Sequence, residues 1–148
     1  MIYTPVTKQA MRVMFEAHKD AWDKSGVPYV FHPFHVAEQM DDEVSTAVAL
    51  LHDVVEDTNI TLNDLREMGF SEEICTALSY LTHREGVPYM DYIRHIRENP
   101  VAVKVKLADL AHNSDLTRFD SMTDFDYRRN EKYRAAIALL RGEEAEKK

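Results

Sequence analysis

Residues 49–58 read ALLHDVVEDT, and this stretch decides the fold. An imidazole and a carboxylate, His52 and Asp53, stand between the apolar pairs Leu50-Leu51 and Val54-Val55. Burying an ionised carboxylate is costly unless it is paired or bound to a metal. Outward from this point, Val44, Val48, Leu51 and Val55 recur at helical spacing, which predicts one helix from about Asp42 to Glu56. Glu56 follows His52 by four residues and Asp57 follows Asp53 by four, so a helix sets each beside its partner. Acidic residues at a helix C-terminus oppose the helix dipole. That local cost points to a role in orienting a water molecule or taking its proton.

Two further segments carry the same signature. In YVFHP (29–33) His32 precedes Pro33, and in KLADLAHN (106–113) Asp109 sits among apolar residues. Each alone has a plain reading. A His-Asp dipeptide arises by chance, His32 could cap a helix, and Asp109 could pair with Lys106 or Arg118. Together, three helices each place a ligand-type side chain in an apolar stretch, and a shared cation would stabilise them all. Mixed nitrogen and oxygen donors suit Mn, Fe, Zn or Mg over a soft thiolate metal. Four protein ligands leave positions open for a water of lowered pKa.

Around this set, Asn113 lies four residues after Asp109 and could bond a sugar or base. Lys24 could contact a phosphate. Tyr89 and Tyr92 either stack on a base or pack in the core. Arg84, Lys104, Arg118, Arg128 and Arg129 are candidate phosphate contacts, and His18 and His112 read as structural or as supports behind the ligands.

Helical signals run through the rest of the chain. Thr4-Pro5 reads as an N-cap with proline in the first turn, followed by a stripe of Met11, Met14, Phe15 and His18. Residues 22–30 contain DKSGVP and read as a loop, with a short helix from His32-Pro33 to Met40. Thr61 and Asp64 resemble a capping box, and that helix ends at Gly69. Ser71 opens a helix carrying Ile74, Leu78 and Leu81. Tyr89 to Glu98 is amphipathic, Asn99-Pro100 opens a long helix through Val103, Leu107 and Leu110, and Asp124 to Arg141 closes the fold with Tyr133, Ile137 and Leu140 inward. VAVKVKLA alternates like a strand but sits within a longer helical pattern.

The expectation is an all-α, single-domain bundle over residues 1–148, with a frayed charged tail at 143–148. Only four glycines and five prolines among 148 residues disfavour a sandwich or barrel. A formal charge of −8 argues against polymeric nucleic acid as partner, because that binding needs basic residues to neutralise phosphates. A small anionic ligand beside a cation is compatible with it. The single cysteine, Cys75, the absence of a signal-peptide core and the lack of a long apolar run predict a cytoplasmic protein with no membrane partner.

The series YVFHP, ALLHDVVEDT and KLADLAHN, from about His18 to Asn113, resembles the hydrolase domain of RelA/SpoT homologues and the small alarmone hydrolases, members of the HD superfamily. The resemblance implies an HD-type helical bundle that removes the 3′-pyrophosphate of (p)ppGpp with Mn²⁺, by attack of a metal-bound water. It implies His32, His52, Asp53 and Asp109 as metal ligands, Glu56 and Asp57 as the pair acting on the water, and Lys24, Tyr29 and Asn113 near the nucleotide. The family loop HxGQxRKSGEPY here reads HKDAWDKSGVPY, with Ala21, Asp23 and Val27 where Gln, Arg and Glu are usual. An acid at position 23 is expected to repel phosphate and alter the base pocket. This keeps open a hydrolase of another nucleotide or phosphoester, and a nucleotide-binding module without turnover. The chain is too short to add a synthetase domain, so hydrolysis without synthesis is expected.

Overall fold

The computed structural model describes residues 1–142; the tail expected to fray lies outside them. The helices are α1 (Pro5–His18), α2 (Phe31–Glu38), α3 (Glu43–Leu51), α4 (Val54–Asp57), α5 (Leu62–Glu67), α6 (Glu72–Leu81), α7 (Tyr89–Ile96), α8 (Pro100–Asn113) and α9 (Asp124–Leu140). A 3₁₀ turn (Leu116–Arg118) lies between α8 and α9. Among the described residues there is no strand, only an isolated antiparallel bridge between Trp22 and Pro28. VAVKVKLA is helical throughout, within α8. No described helix is long and apolar enough to cross a membrane.

α3 is the axis of the bundle. Every residue from Ser45 to Leu51 is buried, and α1, α2, α6 and α8 pack around it. A helix apolar on all sides needs neighbours on all sides. Truncating a fully buried member such as Leu50 to alanine would cost about 2–5 kcal/mol.

The single helix expected from Asp42 to Glu56 is two helices, because α3 stops at Leu51 and α4 begins at Val54. His52 and Asp53 both keep right-handed helical backbone, so the chain kinks without turning back. The cause is local: His52 Nδ1 bonds the Ala49 carbonyl at 2.6 Å. A side chain that enters the main-chain ladder in this way bends a helix. The break sets His52 and Asp53 just past the C-terminal end of α3, beside His32 of α2 and Asp109 of α8.

Helix starts follow the capping residues. Thr4, Thr61 and Thr123 each close a reciprocal capping box, and Ser71 and Asn99 cap α6 and α8. Gly69 follows α5 with φ of 100°, the left-handed conformation that ends a helix. The inward face of α1 is Thr7, Ala10, Met14 and His18, while Phe15 points outward at 51% exposure. On α8 the buried line is Ala102, Val105, Asp109 and Leu110, with Val103 and Leu107 half-buried at its sides. Leu140 of α9 is buried as expected, but Tyr133 and Ile137 are half-buried, and Asn130, Ala136 and Leu139 complete its inward face.

Candidate functional site

Three helices converge on a small set of donors. His32 (α2), His52 (the kink) and Asp109 (α8) are buried, and each offers one ligand atom within 4.8 Å of the others. His32 Nε2 lies 2.8 Å from Asp109 Oδ1, and His52 Nε2 lies 3.4 Å from the same oxygen. Asp53 Oδ2 approaches from one side, 3.2 Å from His52 Nε2 and 3.9 Å from His32 Nε2. Donors about 2.1 Å from one octahedral ion stand about 3 Å apart, close to these separations.

The surroundings orient each donor. His52 Nδ1 donates to the Ala49 carbonyl, which turns Nε2 toward the acids. That Nε2 is buried and has no hydrogen-bond partner. A buried ring nitrogen without a hydrogen-bond partner, set among carboxylate oxygens, is a donor set that fits a divalent metal. His32 Nδ1 meets His112 Nδ1 at 2.7 Å. Burial and the Arg118 guanidinium push the His112 pKa down to about 4, so this ring is neutral and can accept the His32 proton. The family of supports extends to the acids. Tyr29 OH donates to Asp53, and Lys106 Nζ (2.9 Å) and Asn113 Nδ2 (3.0 Å) donate to Asp109.

Electrostatics follow from this packing. Burial alone would raise the Asp109 pKa, but Lys106, His32 and His52 hold it well below the carboxylate range. Burial likewise opposes ionisation of Asp53, and His52 overcomes it, leaving a pKa of about 2. Glu56 and Asp57 move the other way. Burial and the Asp53 charge raise both, Asp57 to about 6.

Two neighbouring cavities border the donors and share the lining residues Tyr29, Asn113 and Tyr133. The inner one, about 320 Å³, is lined by Asp53, Glu56, Asp109, Lys106, His83 and Lys132, with Tyr89 and Tyr92. Glu56 lies on its wall and accepts the His83 N–H. The outer one, about 260 Å³, is lined by Lys24, Arg118, Arg129 and the aromatic rings of Trp22 and Phe119. Asp57 lines neither. Arg84 belongs to a separate groove, Lys104 pairs with Asp41 and Asp42, and Arg128 lines neither site cavity. Tyr92 OH donates to the Leu81 carbonyl, and His18 packs on the Tyr29 ring.

Asp23 does not present the bare charge expected of it. Its Oδ2 accepts from Arg118 Nη2 at 3.0 Å, and its Oδ1 accepts from Ser25 and the Val27 N–H. Of the two partners the sequence offers Asp109, Lys106 pairs with it at 2.9 Å and Arg118 pairs with Asp23 instead. Lys132, Tyr133 and Phe119 carry no comparable signal, because only the path of α9 and the turn before it brings them here.

No family model matches the chain. Mouse guanosine-3′,5′-bis(diphosphate) 3′-pyrophosphohydrolase MESH1 is 32% identical over 144 residues, covering 86% of this chain and 80% of that protein. The chain belongs to this pyrophosphohydrolase family. The human member is 32% identical over 132 residues, with 81% and 73% covered. The Escherichia coli bifunctional (p)ppGpp synthase/hydrolase SpoT is 29% identical over 121 residues, and the chain spans 17% of its length. It spans 16% of a probable GTP pyrophosphokinase of Mycobacterium leprae. In fold, this pyrophosphohydrolase family member superposes on a solved metazoan SpoT ortholog with a TM-score of 0.75 at 22% identity, covering 95% of this chain and 87% of that one.

Proposed function

We propose that this chain is a single-domain (p)ppGpp 3′-pyrophosphohydrolase that works with Mn²⁺ held by His32, His52, Asp53 and Asp109. The observation that carries the reading is the His52 ring, anchored through Nδ1 with an unpartnered Nε2 among buried acids. Family membership supplies the substrate class, since its mouse and human relatives are named for this reaction. A divalent cation at these donors supplies Lewis acidity and lowers the pKa of a water molecule.

The side chains account for the rest. Glu56, on the inner cavity wall, takes a proton from the attacking water, and Asp57 keeps negative charge beside it. The water oxygen bonds the phosphorus attached to the ribose 3′-oxygen, and the bond to that oxygen breaks; the 3′-oxygen leaves with the electron pair and takes up a proton, equivalent to the one Glu56 removed, to become the free hydroxyl. Pyrophosphate and the nucleoside 5′-phosphates are the products. Tyr29 and Asn113 hold the Asp53 and Asp109 carboxylates in place and border the nucleotide. Lys24, in the outer cavity with Arg118 and Arg129, binds nucleotide phosphates. A cytoplasmic location and a small-molecule nucleotide partner belong to the same reading.

The paired Asp23 and Arg118 favour a second reading, hydrolysis of a related nucleotide, because they form an outer-cavity wall unlike the family loop. One assay separates the two: pyrophosphate release from ppGpp with Mn²⁺, beside GTP and an Asp53→Ala variant. Release from ppGpp that is lost in the variant is expected. Phosphate release from GTP with none from ppGpp would overturn the alarmone assignment.

A further inference from the structure

The inner cavity contains cationic and polar groups that take no proton in the reaction above, one of which, Lys106, also supports Asp109. Lys106 enters it from α8, one helical turn before Asp109, with its ammonium largely buried. A buried ammonium needs partners, because its desolvation costs several kcal/mol by order of magnitude. Lys106 has three donors. One goes to Asp109 Oδ2 at 2.9 Å, and the Tyr92 ring lies 5.3 Å from Nζ. Tyr89 lines the same cavity, and its hydroxyl is buried and has no hydrogen-bond partner. Buried hydroxyls are rarely left so, and each one asks for an explanation. Lys132 from α9 stands 4.5 Å over the Tyr89 ring and lines the same cavity.

We propose that Lys106, Tyr89 and Lys132 form an anion subsite for the terminal phosphate of the transferred pyrophosphoryl group. This rests on the pyrophosphohydrolase reading and adds where the second phosphate sits. Two ammonium groups and a phenolic O–H supply donors only where a phosphate has acceptors. The acids Asp53, Glu56 and Asp109 on the remaining walls exclude a second anion until a cation is present. The outer cavity, with Trp22 and Phe119, differs in kind and suits an aromatic base. A ligand passing Tyr29, Asn113 and Tyr133 can therefore extend from base to pyrophosphate across both cavities.

The test is equilibrium dialysis of labelled inorganic pyrophosphate and, separately, GDP against the Mn²⁺-loaded protein, with Mn²⁺ in excess of pyrophosphate. Tyr89→Phe and Lys132→Met should each weaken pyrophosphate binding about tenfold, the loss of one hydrogen bond or charge contact. Lys106→Gln should weaken it by about a hundredfold. GDP binding should stay within about twofold, since each contact removed lies in the other cavity. Because Lys106 touches Asp109, bound Mn²⁺ per chain is counted for that variant. Tyr89 and Lys132 touch no metal donor, so they decide the matter if Lys106→Gln loses metal or fails to fold. Wild-type pyrophosphate affinity in both of those variants overturns the subsite, as does a wild-type protein that binds no pyrophosphate. Selective losses in a protein that does not turn over ppGpp would keep the subsite and overturn the alarmone reading.

Discussion

Arg118 Nη2 donates to Asp23 Oδ2 at 3.0 Å, joining residues 95 apart in the sequence and tying the 19–30 loop to the turn after α8. The side chains are 16% and 7% exposed, so the pair is largely desolvated. Removing one partner of such a pair leaves the other charge uncompensated. Arg118→Met should lower stability by roughly 2–3 kcal/mol, discounted from a fully buried pair. In a chain of this size that lowers Tm by about 5–10 °C. The Asp23→Asn, Arg118→Met double variant should lose less than the sum of the singles, as measured by thermal melts. Additive losses would mean that the two side chains do not act as a pair.

The same carboxylate predicts a pH dependence. Burial pushes the Asp23 pKa up, but Ser25, Val27 and Arg118 together hold it below its ordinary value. A depressed folded-state pKa adds stability that is fully present above the unfolded value, near pH 4, and is lost as pH falls through the folded one. Asp23→Asn should therefore cost stability at pH 6 and progressively less below about pH 4. Melts across that range check it, and a constant offset at every pH would refute it.

Cation binding should be visible without any substrate. A ligand that binds only the folded state stabilises it by about 2.7 kcal/mol at a concentration one hundred times its Kd. For this size that raises Tm by roughly 5–10 °C over the chelator-treated protein. His52→Ala removes the unpartnered nitrogen and should abolish the shift. A shift retained in this variant would place the ion elsewhere.

Much of this arrangement was legible in the sequence because it depends on local rules. Thr4, Thr61, Ser71 and Asn99 announce helix starts through their own side chains, and all four cap helices. His32, His52 and Asp109 stood out as polar groups in apolar runs, and they meet in the core. The break at His52 was not legible, since both of its residues stay helical and only a ring-to-carbonyl bond bends the chain. Nor was the Asp23–Arg118 pair, because charge at position 23 says nothing of a guanidinium 95 residues away. Phe15 failed for another reason: it shares the apolar stripe of α1, but the packed face turns through Ala10 and Met14 instead.

Asp57 should destabilise the metal-free protein at neutral pH. Burial of its carboxyl, Asp53 and Glu56 raise its pKa to about 6, although the residue as a whole is exposed. An acid with a raised folded pKa carries no penalty below its unfolded pKa, near 4. The penalty grows between about 4 and 6 and is complete above that. Asp57→Asn should raise Tm of the chelated protein at pH 7.5 and leave it unchanged at pH 3.5. Equal melting at both pH values would show that Asp57 feels no such field.

Glu56 separates proton transfer from metal holding. It lies on the inner cavity wall, fixed by the His83 N–H, and bonds none of His32, His52 or Asp109. Glutamine keeps an oxygen for His83 but cannot take a proton at neutral pH. General-base groups contribute about 10²–10⁴ in rate, so Glu56→Gln should lower kcat by that order. KM, Tm and the Mn²⁺ bound per chain should stay near wild type. Measured together, these readouts distinguish two roles. A fall in kcat with full metal content identifies Glu56 as the proton acceptor. A parallel fall in metal content would mean that it supports the ion instead.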